Sequence, residues 1–339
     1  MDFVNINDGL LGFDIAIYVM VFLFGITIGS FLNVCIYRLP AGESLTKQNS
    51  HCMTCGAPIK WYDLIPVFSW LFLRGKCRAC GSKISGRYIL VESLTGIMFV
   101  LTFMRFDFFG DHGFMYPAFC CLFIAGLIVI GFEDYDTGEM TVGVLLYLLI
   151  VPFLAHILEV LAPDSVFRGY DVTITDGLIG LFVVSVPLLI FGFVLTPFIY
   201  SFFVSEDHKS ARKIKKRLKK MKSGDAEAKK LQKALDKHLA AIKETGPVYG
   251  FGMGDIILMA AGGLMLGWKA TAAAAFIAIC LGAVYAVILK VRTAHSDKEN
   301  VKAFAFGPFL TIGLAAASFF GTELVDMYIN YLTVPKVPY

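Results

Sequence analysis

Charge is scarce in this chain. Asp, Glu, Lys and Arg make up 17% of its 339 residues, where a soluble domain carries about 25%. Neither sign prevails, with 30 Lys and Arg against 27 Asp and Glu and a net charge of +3. That balance gives no reason to expect nucleic acid as a partner. Also missing is the short-period alternation of apolar and polar residues expected of strands. The start lacks a basic region, carrying Asp2 and Asp8 instead. Its first apolar block is too long for the core of a signal peptide, so no cleaved leader is expected.

Apolar residues are abundant and come in long blocks. They amount to 57% of the chain, with 31 Phe among them. Crossing about 30 Å of hydrocarbon takes about 20 residues of helix. Blocks of roughly that length lie at 15–37, 88–106, 114–133, 141–161, 177–203, 255–268, 270–289 and 304–322. The sixth is short and is interrupted by Gly262 and Gly263. The expected fold is an all-α polytopic membrane protein of about eight transmembrane helices.

The basic residues predict its orientation. Segment 38–87 carries Arg38, Lys47, Lys60, Arg74, Lys76, Arg78, Lys83 and Arg87 against Glu43 and Asp63. Segment 205–246 is richer still, and 290–302 holds Lys290, Arg292, Lys298 and Lys302. Segments 107–113 and 162–176 hold mostly Asp. Lys and Arg collect on the cytoplasmic side, which places the three basic segments inside and both termini outside. Eight spans satisfy that alternation without conflict. Membrane lipids are the expected neighbours of these basic residues.

The organisation read from these patterns has five parts. They are a first span (1–37), a cytosolic four-cysteine module (38–87), spans two to five (88–204), a basic cytosolic insertion (205–246), and spans six to eight (247–339).

The module holds Cys52-Met-Thr-Cys55-Gly56 and Cys77-Arg-Ala-Cys80-Gly81. A CxxC turn sets two thiolates on one side of a tight loop, and the following Gly accepts positive φ there. Two such turns supply four sulfurs for a structural, zinc-ribbon-like site. Residues 56–76, which link the pairs, slightly exceed the usual spacing of about 15–20. A reducing compartment favours metal over disulfide; a redox pair is the alternative. Cys35, Cys120, Cys121 and Cys280 lie within apolar blocks and are expected to pack in the core. His51 reads as an ordinary loop histidine beside Cys52.

Acids near membrane spans are costly and mark function. Gly131-Phe-Glu-Asp134-Tyr-Asp136-Thr-Gly-Glu139 ends the third block, and Gly250-Phe-Gly252-Met-Gly254-Asp255 opens the sixth. The predicted topology puts both at cytoplasmic helix ends. Two facing carboxylates would share a proton near neutral pH. One would then activate water while the other protonates the substrate. Gly252 and Gly254 would let an extended substrate backbone approach. Glu133, Asp136 and Glu139 read as interface markers. The Gly-x-Gly-x-Gly run has no strand before it, which argues against a nucleotide loop. An ion-coupled transporter using the buried acids remains the alternative at this point.

Several blocks together resemble the type IV prepilin peptidase family. They are Gly29-Ser-Phe-Leu-Asn-Val-Cys-Ile-Tyr-Arg-Leu-Pro40, both CxxC pairs, Trp61-Tyr-Asp-Leu-Ile-Pro66, Ser69 through Arg78, and Ser85 through Glu92. The likeness resumes at Glu133 through Gly138 and at Gly252-Met-Gly-Asp255, with Leu266-Gly-Trp268 behind it. It covers about half the chain.

The resemblance implies an inner-membrane peptidase that cleaves type IV prepilins or pseudopilins after the leader's final Gly, on the cytoplasmic face. It also implies N-methylation of the new N-terminus with S-adenosylmethionine. By position it assigns catalysis to Asp134 and Asp255, an accessory or fallback acid to Asp136, and zinc to Cys52, Cys55, Cys77 and Cys80. The GxGD pattern is shared with presenilin-like intramembrane proteases, which lack the cysteine module. The family usually has Ile-Pro where Met140-Thr141 stands, and often Lys where Ile257 stands. A third departure is the long insertion at 205–246.

That insertion reads as a helical hairpin. Ile214, Leu218 and Met221 stripe its first, strongly basic arm. Ser223-Gly224-Asp225 breaks the chain, and Leu231, Leu235, Leu239 and Ile242 recur at helical spacing in the second arm. Fixing topology and lying on anionic lipid is its expected role; docking a pilus or secretion assembly component is the alternative.

Overall fold

The structure is a computed structural model that describes residues 11–47, 50–106, 114–161, 172–218, 226–245, 251–293 and 305–333. Met221, Ser223 to Asp225, Gly250, Lys298 and Lys302 lie outside the described residues, as does the side chain of Ile242. Every regular element among them is helical, and β pairing is confined to two isolated bridges. In chain order these are α1 (Leu11–Arg38), α2 (Phe68–Phe72), α3 (Arg87–Arg105), α4 (Met115–Thr137), α5 (Val142–Leu161), α6 (Ile174–Leu189), α7 (Thr196–Ile199), α8 (Glu206–Leu218), α9 (Ala226–Thr245), α10 (Met253–Thr293) and α11 (Gly307–Thr333). Among the described residues, seven stretches are long and apolar enough to cross a membrane. The protein is a multi-pass membrane protein.

The chain forms two compact units, one of Met1–Val184 with Ile257–Tyr339 and one of Ser185–Ile256. In the first unit α1 and α3 run antiparallel at very close range. A Cβ on Gly25 would lie 2.7 Å from Gly96 Cα, and one on Gly29 would lie 2.7 Å from Glu92 Cα. Small residues permit this approach in lipid, where packing replaces the hydrophobic drive. Asn33 Nδ2 donates to Tyr88 O at 3.1 Å across the same seam. Helix α4 lies at the centre, against α1, α3, α5 and α11, with Phe123, Ile124, Leu127 and Ile130 fully buried.

Helix α10 has 41 residues, about 60 Å if straight and twice the hydrocarbon thickness. It is not straight. Gly267 has φ 74° and ψ 174°, a conformation open to glycine and unfavourable for other residues. Gly262 packs on Leu314, Gly313 on Ala274 and Ala278, and Gly321 on Ala270. Gly262 and Ala274 would stand about 18 Å apart along a straight helix, yet they meet α11 at adjacent positions. The chain therefore reverses at Gly267. Seven apolar stretches thus contain eight membrane segments. The helix continues through Gly262 and Gly263, where a break was expected, because both are used for close packing. Leu258, Met259, Ala261 and Met265 are completely buried, which explains how so short a segment is stable.

Other boundaries shift as well. The fifth span runs from Ile174 to Val204 as α6, α7 and two π-helical stretches, Ile190–Leu195 and Tyr200–Val204. The last helix extends to Thr333, beyond the predicted 322. Cys35, Cys120 and Cys121 are buried as expected, but Cys280 is exposed on its helix, a lipid-facing position.

In the second unit α8 and α9 pack together as a hairpin. Ala211 and Leu235 are buried, Ile214, Leu218 and Leu231 are half-buried, and His238 Nδ1 meets Asp207 Oδ1 at 2.8 Å. Leu239 departs from the predicted stripe and is 49% exposed. The basic side chains Lys213, Lys215, Lys216 and Arg217 face outward.

Candidate active site and cysteine cluster

Helix α4 ends at Gly138, whose N–H donates to Asp134 O at 2.9 Å. This cap places three acids on the last turns, and each has a different setting. Asp134 is 6% exposed, and its Oδ2 accepts the N–H of Gly307 at 2.9 Å, the first residue of α11. A Cβ at Gly307 would lie 2.5 Å from that same oxygen, so glycine there lets the backbone N–H reach the carboxylate. Asp136 instead pairs with Arg87 at 2.6 Å. The guanidinium of Arg87 also covers the rings of Phe132 and Tyr37.

Glu133 was expected to mark the interface. It is completely buried, and its Oε2 accepts the N–H of Thr141 at 3.1 Å. Thr141 stands where the family it resembles usually has proline. Its N–H is a donor at the head of a membrane helix, and Glu133 accepts from it. Sequence reading noted both residues separately; pairing them needed the turn between α4 and α5.

In the second unit Asp255 occupies the first turn of α10 and is 8% exposed. Its Oδ2 accepts the N–H of Gly252 at 3.1 Å, half of a capping box. A Cβ on Gly252 would meet only ordinary contacts, the nearest being that oxygen at 3.6 Å. The chain's own packing therefore does not demand glycine at 252.

The cysteine segment, residues 51–84 of the first unit, is built from two copies of one turn. Gly56 N donates to Cys52 O at 2.8 Å, and Gly81 N to Cys77 O at 2.9 Å. Gly56 and Gly81 have φ of 70° and 71°, as the CxxC-Gly pattern requires. Single bridges, His51 to Pro58 and Lys76 to Lys83, close the two copies. All four sulfurs lie within 4.8 Å of one another. Tetrahedral zinc, with Zn–S of about 2.3 Å, needs sulfurs about 3.8 Å apart, and Cys52 and Cys80 stand at 3.9 Å. The residues fit a four-thiolate metal, and His51 is not among the four. The N–H groups of Cys55 and Thr54, with the Ser82 hydroxyl, pull the Cys52 thiol down to about 5, and Ser82 lowers Cys80 as well. Beside the cluster Arg78 grips Asp63 through Nε and Nη2 at 2.6–3.1 Å and holds that carboxyl below its usual range.

Comparison with known proteins bears on both regions. A family profile described as Bacterial Peptidase A24 N-terminal domain matches residues 23–106, and one described as Type IV leader peptidase family matches residues 121–287. A Prepilin leader peptidase/N-methyltransferase of Myxococcus xanthus is 43% identical over 35% of this chain and 34% of its own length. One from Klebsiella pneumoniae is 48% identical over 24% of this chain and 38% of its own length. One from Bacillus subtilis is 27% identical over 92% of this chain and 97% of its own. The strongest matches thus span about a third of the relatives' length, while the Bacillus match runs nearly end to end. No solved structure matches the chain. The two profiles fall in order on the cysteine-bearing N-terminal part and on the helices that carry the two aspartates, and the chain belongs to the type IV leader peptidase family.

Proposed function

We propose that this protein is an aspartyl peptidase that removes the leader of type IV prepilins or pseudopilins, with Asp134 and Asp255 as its catalytic pair. One carboxylate takes a proton from water as the water attacks the carbonyl carbon after the leader's final Gly. The other, protonated, gives its proton to the carbonyl oxygen. Collapse of the tetrahedral intermediate then breaks the C–N bond, and the departing amine takes a proton from the pair. The family and the printed names of the relatives support the substrate class.

The contrast on α4 carries the choice of first aspartate. Asp136 is engaged by a guanidinium, whereas Asp134 is buried and held by one backbone N–H. A carboxylate gripped by a guanidinium has its oxygens committed to that partner. The lack of any packing need for Gly252 supports a close approach of substrate backbone beside Asp255.

The cytoplasmic face of the inner membrane is the proposed site of cleavage, on the distribution of Lys and Arg. Zinc held by Cys52, Cys55, Cys77 and Cys80 would have no open position and would supply structure alone. The relatives' names also include N-methyltransferase, so methylation of the new N-terminus with S-adenosylmethionine is part of the proposal; we assign no residue of this chain to that step. The basic hairpin is proposed to rest on anionic lipid.

Purified protein in liposomes, mixed with a prepilin, tests the reading. Mass spectrometry should find the pilin shortened at the leader junction. Intact prepilin after incubation with folded, metal-loaded protein would end the peptidase proposal.

A further inference from the structure

Residues Trp61 to Phe72 lie outside the spans but are rich in exposed apolar side chains. Trp61 is 79% and Phe72 90% exposed, with Leu64, Ile65, Phe68 and Leu71 between 44% and 55%. Trp70, by contrast, is tied into the module, its Nε1 donating to Ile84 O and its ring lying against Gly75. A patch of this kind on a water-facing loop would be an aggregation hazard.

Its position supplies the explanation. Val67 is the centre of a γ-turn, with φ 63° and ψ −55°, in which Phe68 N donates to Pro66 O. This conformation is rare and strained for a β-branched residue. The turn is held by the buried carboxylate of Glu92, whose Oε2 accepts the N–H of Val67 at 2.7 Å. Glu92 lies five residues into α3, about 7.5 Å beyond its start. Helices at a membrane surface sit about 5–10 Å into the boundary between headgroups and acyl chains. Helix α3 itself carries exposed apolar residues at the same end, Leu90 and Leu94.

Charge agrees with this depth. Lys60, Arg74 and Lys76 flank the segment. The single acid inside it, Asp63, is gripped by Arg78 with its side chain 8% exposed. No other carboxylate lies between Lys60 and Lys76 to repel an anionic surface.

We propose that Trp61–Phe72 is an interfacial anchor that inserts its apolar side chains into an anionic lipid leaflet and fixes the four-cysteine cluster against the membrane. The strained turn at Val67, clamped by Glu92, sets its depth.

Quenching of tryptophan emission tests this in full-length protein, reconstituted in phosphatidylethanolamine and phosphatidylglycerol vesicles. The Trp61 signal is the difference between wild type and Trp61→Phe. Phe72→Trp in the otherwise wild-type chain, read as the signal it adds, gives a second probe should Trp61→Phe disturb the fold. Lipid brominated high on the acyl chain should remove most of both signals, while aqueous iodide leaves them. Iodide quenching without bromolipid quenching would overturn the proposal by placing the patch in water. Protection from both quenchers would overturn it too, since a second protein surface would then be the cover.

Discussion

The cysteine segment and the α8–α9 hairpin are both basic and both lie beside membrane spans, yet they are held in place by different physics. The first has almost no core of its own. Its shape comes from two glycine-dependent turns, four converging sulfurs, the Asp63–Arg78 pair and one buried bond from Val67 to Glu92. The hairpin has no glycine-dependent turn and no sulfur cluster among its described residues. It rests on two amphipathic helices that bury Ala211 and Leu235, with His238 meeting Asp207. Similar charge patterns thus say where a segment lies and nothing about what folds it. One segment should fail abruptly when its metal ligands go, the other gradually with its apolar contacts.

Removal of one thiolate gives the largest expected effect. Cys77→Ser should abolish stoichiometric metal in purified protein, because three thiolates leave the tetrahedron open. Elemental analysis and proteolysis of the 50–84 region would report it, with the hairpin's protection unchanged. Leu235→Ala should destabilise the hairpin by about 2–4 kcal/mol, the usual range for a buried leucine. Faster hydrogen exchange confined to 206–245 is the corresponding readout. Val67→Gly should relieve the positive-φ strain and stabilise the cysteine segment by about 1 kcal/mol, measurable as slower exchange there. Leu239→Ala should change hairpin stability by less than about 1 kcal/mol, since that side chain is already half in solvent. Equal losses at 235 and 239 would mean that the two arms pack on a different face.

Much of this was legible in the residues. Long apolar blocks announced the helices, and the CxxC-Gly repeat announced a four-sulfur cluster that could hold a metal ion. The sixth and seventh spans were separated at 268–270, close to the turn at Gly267, but Gly262 and Gly263, read as interrupting the sixth, pack within it. Composition cannot tell a glycine used for backbone turning from one used for helix contact; φ and neighbours can. The acids of α4 were equally opaque. Glu133, Asp134 and Asp136 are near-identical in sequence terms, and their fates depend on Thr141, Gly307 and Arg87, each supplied by another part of the chain. The apolar segment at 61–72 was recognised as part of a family likeness, but its exposure needed coordinates.

The proposed mechanism depends most on which acid of α4 does chemistry. Prepilin cleavage by reconstituted wild type, Asp134→Asn, Asp136→Asn and Asp255→Asn, each shown to be folded and metal-loaded, tests it directly. Asp134→Asn and Asp255→Asn should each lose about 10³-fold or more of the activity, as expected when a general acid or base is removed, while Asp136→Asn keeps cutting. A dead Asp136→Asn beside an active Asp134→Asn would contradict the assignment, and equal activity in all four proteins would contradict the aspartyl mechanism itself.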